Sequence, residues 1–153
     1  MKHIDDVIES MGPATKMASD HNYCTVTALS VTFGVPYDEA YDYARGEWSR
    51  VRGRGVSTSI MLRSFPQAEG KEYASKVLNQ AVVRVKAEQD YKQPDGSIKT
   101  RDMNLSTFCK RYPKGKYYIL VKGHALAVVD GEVIDHTDKP KRRIRYACKI
   151  DNK

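Results

Sequence analysis

Two apolar runs separated by Asp130-Gly131 constrain this chain more tightly than any other feature: Gly123-His-Ala-Leu-Ala-Val-Val129 before the pair, and Glu132-Val-Ile-Asp135 after it. A two-residue hairpin loop of type I′ needs positive φ at both positions, which Gly tolerates and Asp accepts. With those two residues as the turn, Val129 faces Glu132 and Leu126 faces Asp135. His124 then lies one diagonal step from Asp135 on the same face, because side chains along a strand alternate with period 2. The register sets an imidazole beside a carboxylate. A four-residue loop keeps this parity and a three-residue loop breaks it.

Strand signals continue on both sides of this hairpin. Lys116-Tyr-Tyr-Ile-Leu-Val121 is β-branched and aromatic, and Lys122-Gly123 can turn it into the His124 strand. Residues 142–150 alternate enough for a last strand, which makes the tail half an antiparallel meander. Ahead of it, Asn104 caps an amphipathic helix with Leu105, Phe108, Cys109 and Tyr112 at i, i+3, i+4 and i+7. Residues 81–86 read as a strand, and residues 88–103, with Pro94-Asp-Gly96, as a loop or weak hairpin.

The front half is mainly helical. Ile4, Val7, Ile8 and Met11 share a helical stripe that Gly12-Pro13 ends. Residues 24–45 read as two helices meeting at Gly34, a C-cap, and Pro36. Thr58 caps a third helix that Pro66 stops, and residues 71–80 suggest another short one. At 153 residues the expectation is a single domain, 1–153, of α+β class: N-terminal helices packed on a C-terminal antiparallel sheet.

Cys24 stands at the N-terminus of the first helix of that pair, where unpaired backbone N–H groups and the helix dipole favour a thiolate. The thiolate is the nucleophilic form. A His within reach holds it as a thiolate–imidazolium pair and later protonates the leaving group. A carboxylate on the far ring nitrogen fixes the tautomer. Cys24, His124 and Asp135 are therefore the candidate catalytic set, with Asn22 the candidate oxyanion donor beside the helix-start N–H groups. Read singly, each residue has a plainer role: a buried thiol, a sheet-edge histidine and turn chemistry.

Four blocks carry a resemblance. They are Asn22-Tyr-Cys-Thr-Val-Thr-Ala-Leu-Ser-Val-Thr-Phe-Gly-Val-Pro-Tyr-Asp-Glu-Ala-Tyr41, Gly53-Arg-Gly55, Leu105-Ser-Thr-Phe-Cys-Lys-Arg-Tyr-Pro-Lys-Gly-Lys-Tyr-Tyr118, and the residues from Gly123 to Asp135. In that order the chain resembles small phage- and prophage-encoded proteins with a papain-like cysteine peptidase fold. The resemblance implies that Cys24 is the nucleophile, His124 the base and Asp135 the orienting acid. It implies a thiol hydrolase of peptide, isopeptide or amide bonds, with a protein or peptide substrate, a host protein during infection included. It calls for no cofactor and no metal. The position of the family's oxyanion Gln is Ala18 here, and Val56-Ser57-Thr58 replaces a simpler Gly-Thr step.

The remaining features are weighed against other classes. Three cysteines without a CxxC pair suit a reducing compartment. The acidic start, Met1-Lys-His-Ile-Asp-Asp6, is unlike a signal peptide, and no apolar run approaches a membrane span, so a cytoplasmic protein is expected, in the host cytoplasm if phage-encoded. His21 and Cys24 are a lone pair, short of the four ligands of structural zinc. Cys109 and Cys148 are expected in the core, and His3 and His136 in solvent. The net charge of +7, with six cations among residues 139–149, supports the alternative of a non-catalytic papain-like protein that binds nucleic acid or an acidic partner. The plainer reading of that basic segment is a solvated sheet edge.

Overall fold

The computed structural model describes residues 1–17, 20 and 23–151. Among these, β1 (Lys2–His3) leads into α1 (Ile4–Glu9), then α2 (Cys24–Phe33), α3 (Tyr37–Glu47) and α4 (Thr58–Met61). Next come β2 (Ser75–Val77), β3 (Gln80–Arg84), β4 (Glu88–Lys92), β5 (Ile98–Asp102) and α5 (Leu105–Arg111). The chain closes with β6 (Lys116–Val121), β7 (His124–Val129), β8 (Glu132–Asp135) and β9 (Ile144–Ile150). One sheet has the order β1-β8-β7-β6-β9-β3-β2, and β4 and β5 form a separate hairpin. All pairings are antiparallel except β1 with β8. The architecture is α+β.

The central hairpin has the expected register: Val129 pairs with Glu132 and Ala127 with Ile134. Its turn carries positive φ at both residues, 49° at Asp130 and 76° at Gly131. Gly131 is required twice over, since an added Cβ would also press on the Cys109 carbonyl and Pro113 at 3.4 Å.

Three expectations change, besides α4, which ends at Met61 and has Ser57, not Thr58, at its N-cap position with no side-chain capping bond. The tail is not a simple meander, because β9 returns past the hairpin to pair with β6. This makes β9 an interior strand between β6 and β3, not a solvated edge. Ile144, Tyr146, Ala147, Cys148 and Ile150 are buried in it, while Arg145 is exposed. The basic composition had hidden that apolar set. Third, residues 71–80 are not a helix. A single 3-10 turn at Lys71–Tyr73 gives way to β2, whose turn into β3 bends through positive φ at Leu78 and Asn79.

β6 explains the layering. It is apolar at almost every position because both of its faces are covered. Tyr118 and Leu120 pack into the cluster built with α1 to α4, whereas Tyr117, Ile119 and Val121 join Leu105 and Phe108 of α5. β7 divides likewise: Ala125 and Ala127 meet the helices, and Leu126 and Val128 meet the α5 layer. The small alanines let α2 approach closely. α2 is buried from Thr25 to Phe33, so it has no polar face to offer water. Three of its four hydroxyls are absorbed by backbone: Thr27 donates to the Cys24 carbonyl at 3.0 Å, Thr32 to Ala28 at 2.7 Å, and Ser30 to Val35 at 2.6 Å, while the buried Thr25 hydroxyl has no partner among the described residues. Gly34, at φ 67°, caps the helix.

A buried ion pair closes the segment between α3 and α4. Arg50 grips Asp20 with two nitrogens, each at 2.9 Å, one to each carboxylate oxygen. Tyr37 O–H donates to Asp20 at 2.6 Å and the Gly53 N–H at 2.7 Å. Burial pushes the Asp20 carboxyl up, but the donors from Arg50, Tyr37 and Gly53 outweigh it and hold the acid below its ordinary range. Replacing Asp20 by Ala takes the carboxylate away from a buried guanidinium. We expect a loss of about 3–5 kcal/mol, read as a lower urea midpoint at unchanged slope.

Candidate active site

Cys24 opens α2 and His124 opens β7, one hundred positions later in the chain but on adjacent elements of the fold. One hydrogen bond of the imidazole orients the site: His124 Nε2–H donates to Asp135 Oδ1 at 2.6 Å, which leaves Nδ1 for Cys24, a residue that lines the same two clefts as His124 and is coupled electrostatically to its ring. The three candidates are thus brought together in the order sulfur, imidazole, carboxylate. Asn22, the oxyanion candidate, lies outside the described residues, as do Ala18 and His21.

Each position has a local cause. The Lys122-Gly123 turn, with φ 68° at Gly123, starts β7 at His124. The Asp130-Gly131 turn sets Asp135 diagonally across. Asp135 is 1% exposed, and its Oδ1 also accepts the His136 backbone N–H at 2.7 Å. Cys24 is held at its depth by Tyr118, whose O–H donates to the Thr25 carbonyl at 3.1 Å.

The electrostatics favour an ion pair. The hydrogen bond to Asp135, then that to Cys24, raises His124 to about 9 against the opposing effect of burial, with the charges of both partners adding. Burial alone pushes the Cys24 thiol up. The His124 hydrogen bond, the Ala125 N–H, the imidazolium charge and the Thr25 N–H together overcome it and bring the thiol below its ordinary value. The other two thiols go the opposite way. Burial raises both Cys109 and Cys148, and Cys148 is fully enclosed.

Space is available at the sulfur. A cavity of about 130 Å³ beside Cys24 is walled by Val56, Thr58, Met61, Leu120 and Val121. A wider cleft of about 400 Å³ runs over Cys24 and His124 between Tyr23, Gly55, Gly123 and His136. Gly55 borders both, so the segment anchored by Asp20 and Arg50 forms a wall of the site.

His136 overturns an expectation. It does not simply face solvent: it is half-buried, its Nε2–H donates to Asp5 Oδ1 at 3.1 Å, and its ring lies edge-on to Tyr23 at 5.4 Å. His3 is exposed as expected, yet its Nδ1 caps α1 by accepting the Asp5 N–H at 3.3 Å. Adjacency to Asp135 was the only sequence signal for His136, and nothing in the sequence singled out Asp5 or Asp20. His124, Asp135 and His136 each bring one metal-ligating atom within 4.8 Å of the others. However, the 2.6 Å from His124 to Asp135 is shorter than the spacing of about 3.3 Å between donors on a tetrahedral zinc, so the ring would have to move to ligate.

Compared with protein-family models, curated proteins and solved structures, the chain has no match in any of the three. Among the described residues, no helix is long and apolar enough to cross a membrane.

The three thiols give a direct test. A small haloacetamide is expected to label Cys24 much faster than Cys109 or Cys148 in the folded protein, with a half-maximal pH for Cys24 below that of a free thiol. Peptide mapping by mass spectrometry after timed quenching measures both.

Proposed function

We propose that this protein is a papain-like thiol hydrolase that cleaves a peptide, isopeptide or amide bond through an acyl-enzyme on Cys24. The observation that carries the reading is the two-sided engagement of His124, with a thiol of lowered pKa on one side and a buried carboxylate on the other. The resemblance to phage-encoded papain-like proteins supports it and makes a host protein the substrate class to try first.

The Cys24 thiolate attacks the substrate carbonyl carbon, and the carbonyl π electrons move onto oxygen. Backbone N–H groups at the start of α2, which lack intrahelical acceptors, are the donors for that oxyanion. As the tetrahedral intermediate collapses, the His124 imidazolium gives its proton to the leaving nitrogen and the C–N bond breaks, leaving a thioester. His124, now neutral, takes a proton from water. The hydroxide adds to the thioester, the C–S bond breaks, and carboxylic acid and thiolate are released. Asp135 keeps Nε2 protonated so that Nδ1 faces sulfur and substrate. The 130 Å³ cavity with its apolar wall suits an uncharged side chain next to the scissile bond.

A library of internally quenched peptides tests the reading. Wild type is expected to cleave members of it, Cys24→Ala none, and His124→Gln more slowly by about 10²- to 10⁴-fold. No cleavage by wild type, together with no adduct from peptidyl epoxides at Cys24, contradicts it. The pH dependence follows in sign. Turnover needs thiolate and imidazolium together, so kcat/KM rises as Cys24 deprotonates and falls as pH passes about 9, where His124 loses its proton. Alkylation needs only the thiolate and should rise to a plateau without the alkaline fall.

A further inference from the structure

Behind the catalytic set lies a second group of polar side chains with no role in the scheme above. Asp5, in the first turn of α1, uses both carboxylate oxygens: Oδ2 accepts the Tyr23 O–H at 3.2 Å and Oδ1 accepts His136 Nε2–H at 3.1 Å. Tyr23 immediately precedes Cys24 and is the N-cap residue of α2, yet its side chain gives that helix no capping bond. His136 immediately follows Asp135 and donates its backbone N–H to the same Asp135 oxygen that holds His124. The carboxylate is placed by β1, which runs parallel to β8 with His3 opposite Asp135. The rings complete the contact: His136 packs edge-on against Tyr23 and His3, both at 5.4 Å, and against His124 at 6.4 Å.

We propose, building on the reading of Cys24 as nucleophile, that Asp5 is a positioning residue that clamps the start of α2 to the end of β8 through Tyr23 and His136, and so sets the sulfur-to-imidazole geometry. The two halves of the site have no covalent neighbour in common. Cys24 follows a long segment after α1, and Asp135 ends a hairpin more than a hundred residues on. A single carboxylate taking one donor from each half is a short mechanical link between them. Both bonds are to a charged acceptor and are only partly exposed, where such bonds are stronger than neutral ones. A shift of a few tenths of an ångström at Tyr23 would move the Cys24 sulfur relative to the His124 ring beside it.

The test reads geometry through the sulfur. The half-maximal pH of haloacetamide labelling at Cys24 is measured in the full chain for wild type, Asp5→Ala, Tyr23→Phe, His136→Ala and His136→Gln, with thermal melts beside. The titratable groups facing this corner are His124, Asp135 and His136 at β7 and β8, His3 at β1, Asp5 on α1, Tyr23 and Asp20 before α2, Tyr37 on α3, and Tyr118 on β6. Tyr23→Phe is decisive because it removes a hydrogen bond and no charge. Expected is an upward move of about one pH unit in Asp5→Ala, Tyr23→Phe and His136→Ala, a roughly tenfold loss of thiolate at neutral pH. His136→Gln, which can still donate to Asp5, should restore most of it. Folded Tyr23→Phe and Asp5→Ala proteins with the wild-type midpoint overturn the clamp while leaving Cys24 a lowered thiol. A wild-type midpoint at the free-thiol value removes the nucleophile reading, and the clamp with it.

Discussion

The docking of α2 onto β6 and β7 is the constraint on which the rest of this molecule depends. The helix is buried almost all round, which its mixture of apolar and hydroxyl residues permits because three of its four hydroxyls bond to backbone. Ala125 and Ala127 give it room, and the Tyr118 O–H fixes its first turn. The consequence is positional. The helix start, the one place on α2 with unspent N–H groups, lies against the residue that opens β7. A thiol at the first position and an imidazole at the second then meet without any loop having to reach.

That meeting works against burial. Enclosing a thiolate disfavours its charge, and enclosing an imidazolium does the same. Each group is instead stabilised by the other, and Asp135 behind the ring adds a third charge that tips the balance toward the pair. The Asp20–Arg50 pair plays a comparable part in the cleft wall. It converts an Arg/Gly-rich connection, flexible by composition, into a fixed surface at Gly53 and Gly55. The fold thus spends buried charge twice, once in the site and once in its support.

How much of this the sequence disclosed follows from range. The Asp130-Gly131 turn is local, and with strict alternation it determined that His124 and Asp135 share a face. The hydrogen bond at 2.6 Å between them is that inference made concrete. Gly34 and Pro36 were equally local and marked the α2–α3 junction correctly. The return of β9 to β6 was not legible, since nothing in residues 136–143 encodes which side of a sheet a strand will join. Its cations suggested an edge, although alternate positions carried Ile144, Tyr146 and Cys148 for an interior strand. His136 and Asp5 were missed for the same reason. They are 131 positions apart, and a single His or Asp outside any periodic stretch has no pattern to read.

The central claim is that the His124 imidazole is shared between a sulfur and a carboxylate. An NMR titration of the ¹⁵N-labelled imidazole measures it most directly, in wild type and in Cys24→Ala. The account predicts that His124 stays protonated to about pH 9 in wild type, with Nε2 carrying the proton when the ring is neutral, and that its midpoint drops when the sulfur is removed. A His124 midpoint near the free-histidine value of about 6.5, the same in both proteins, would contradict it.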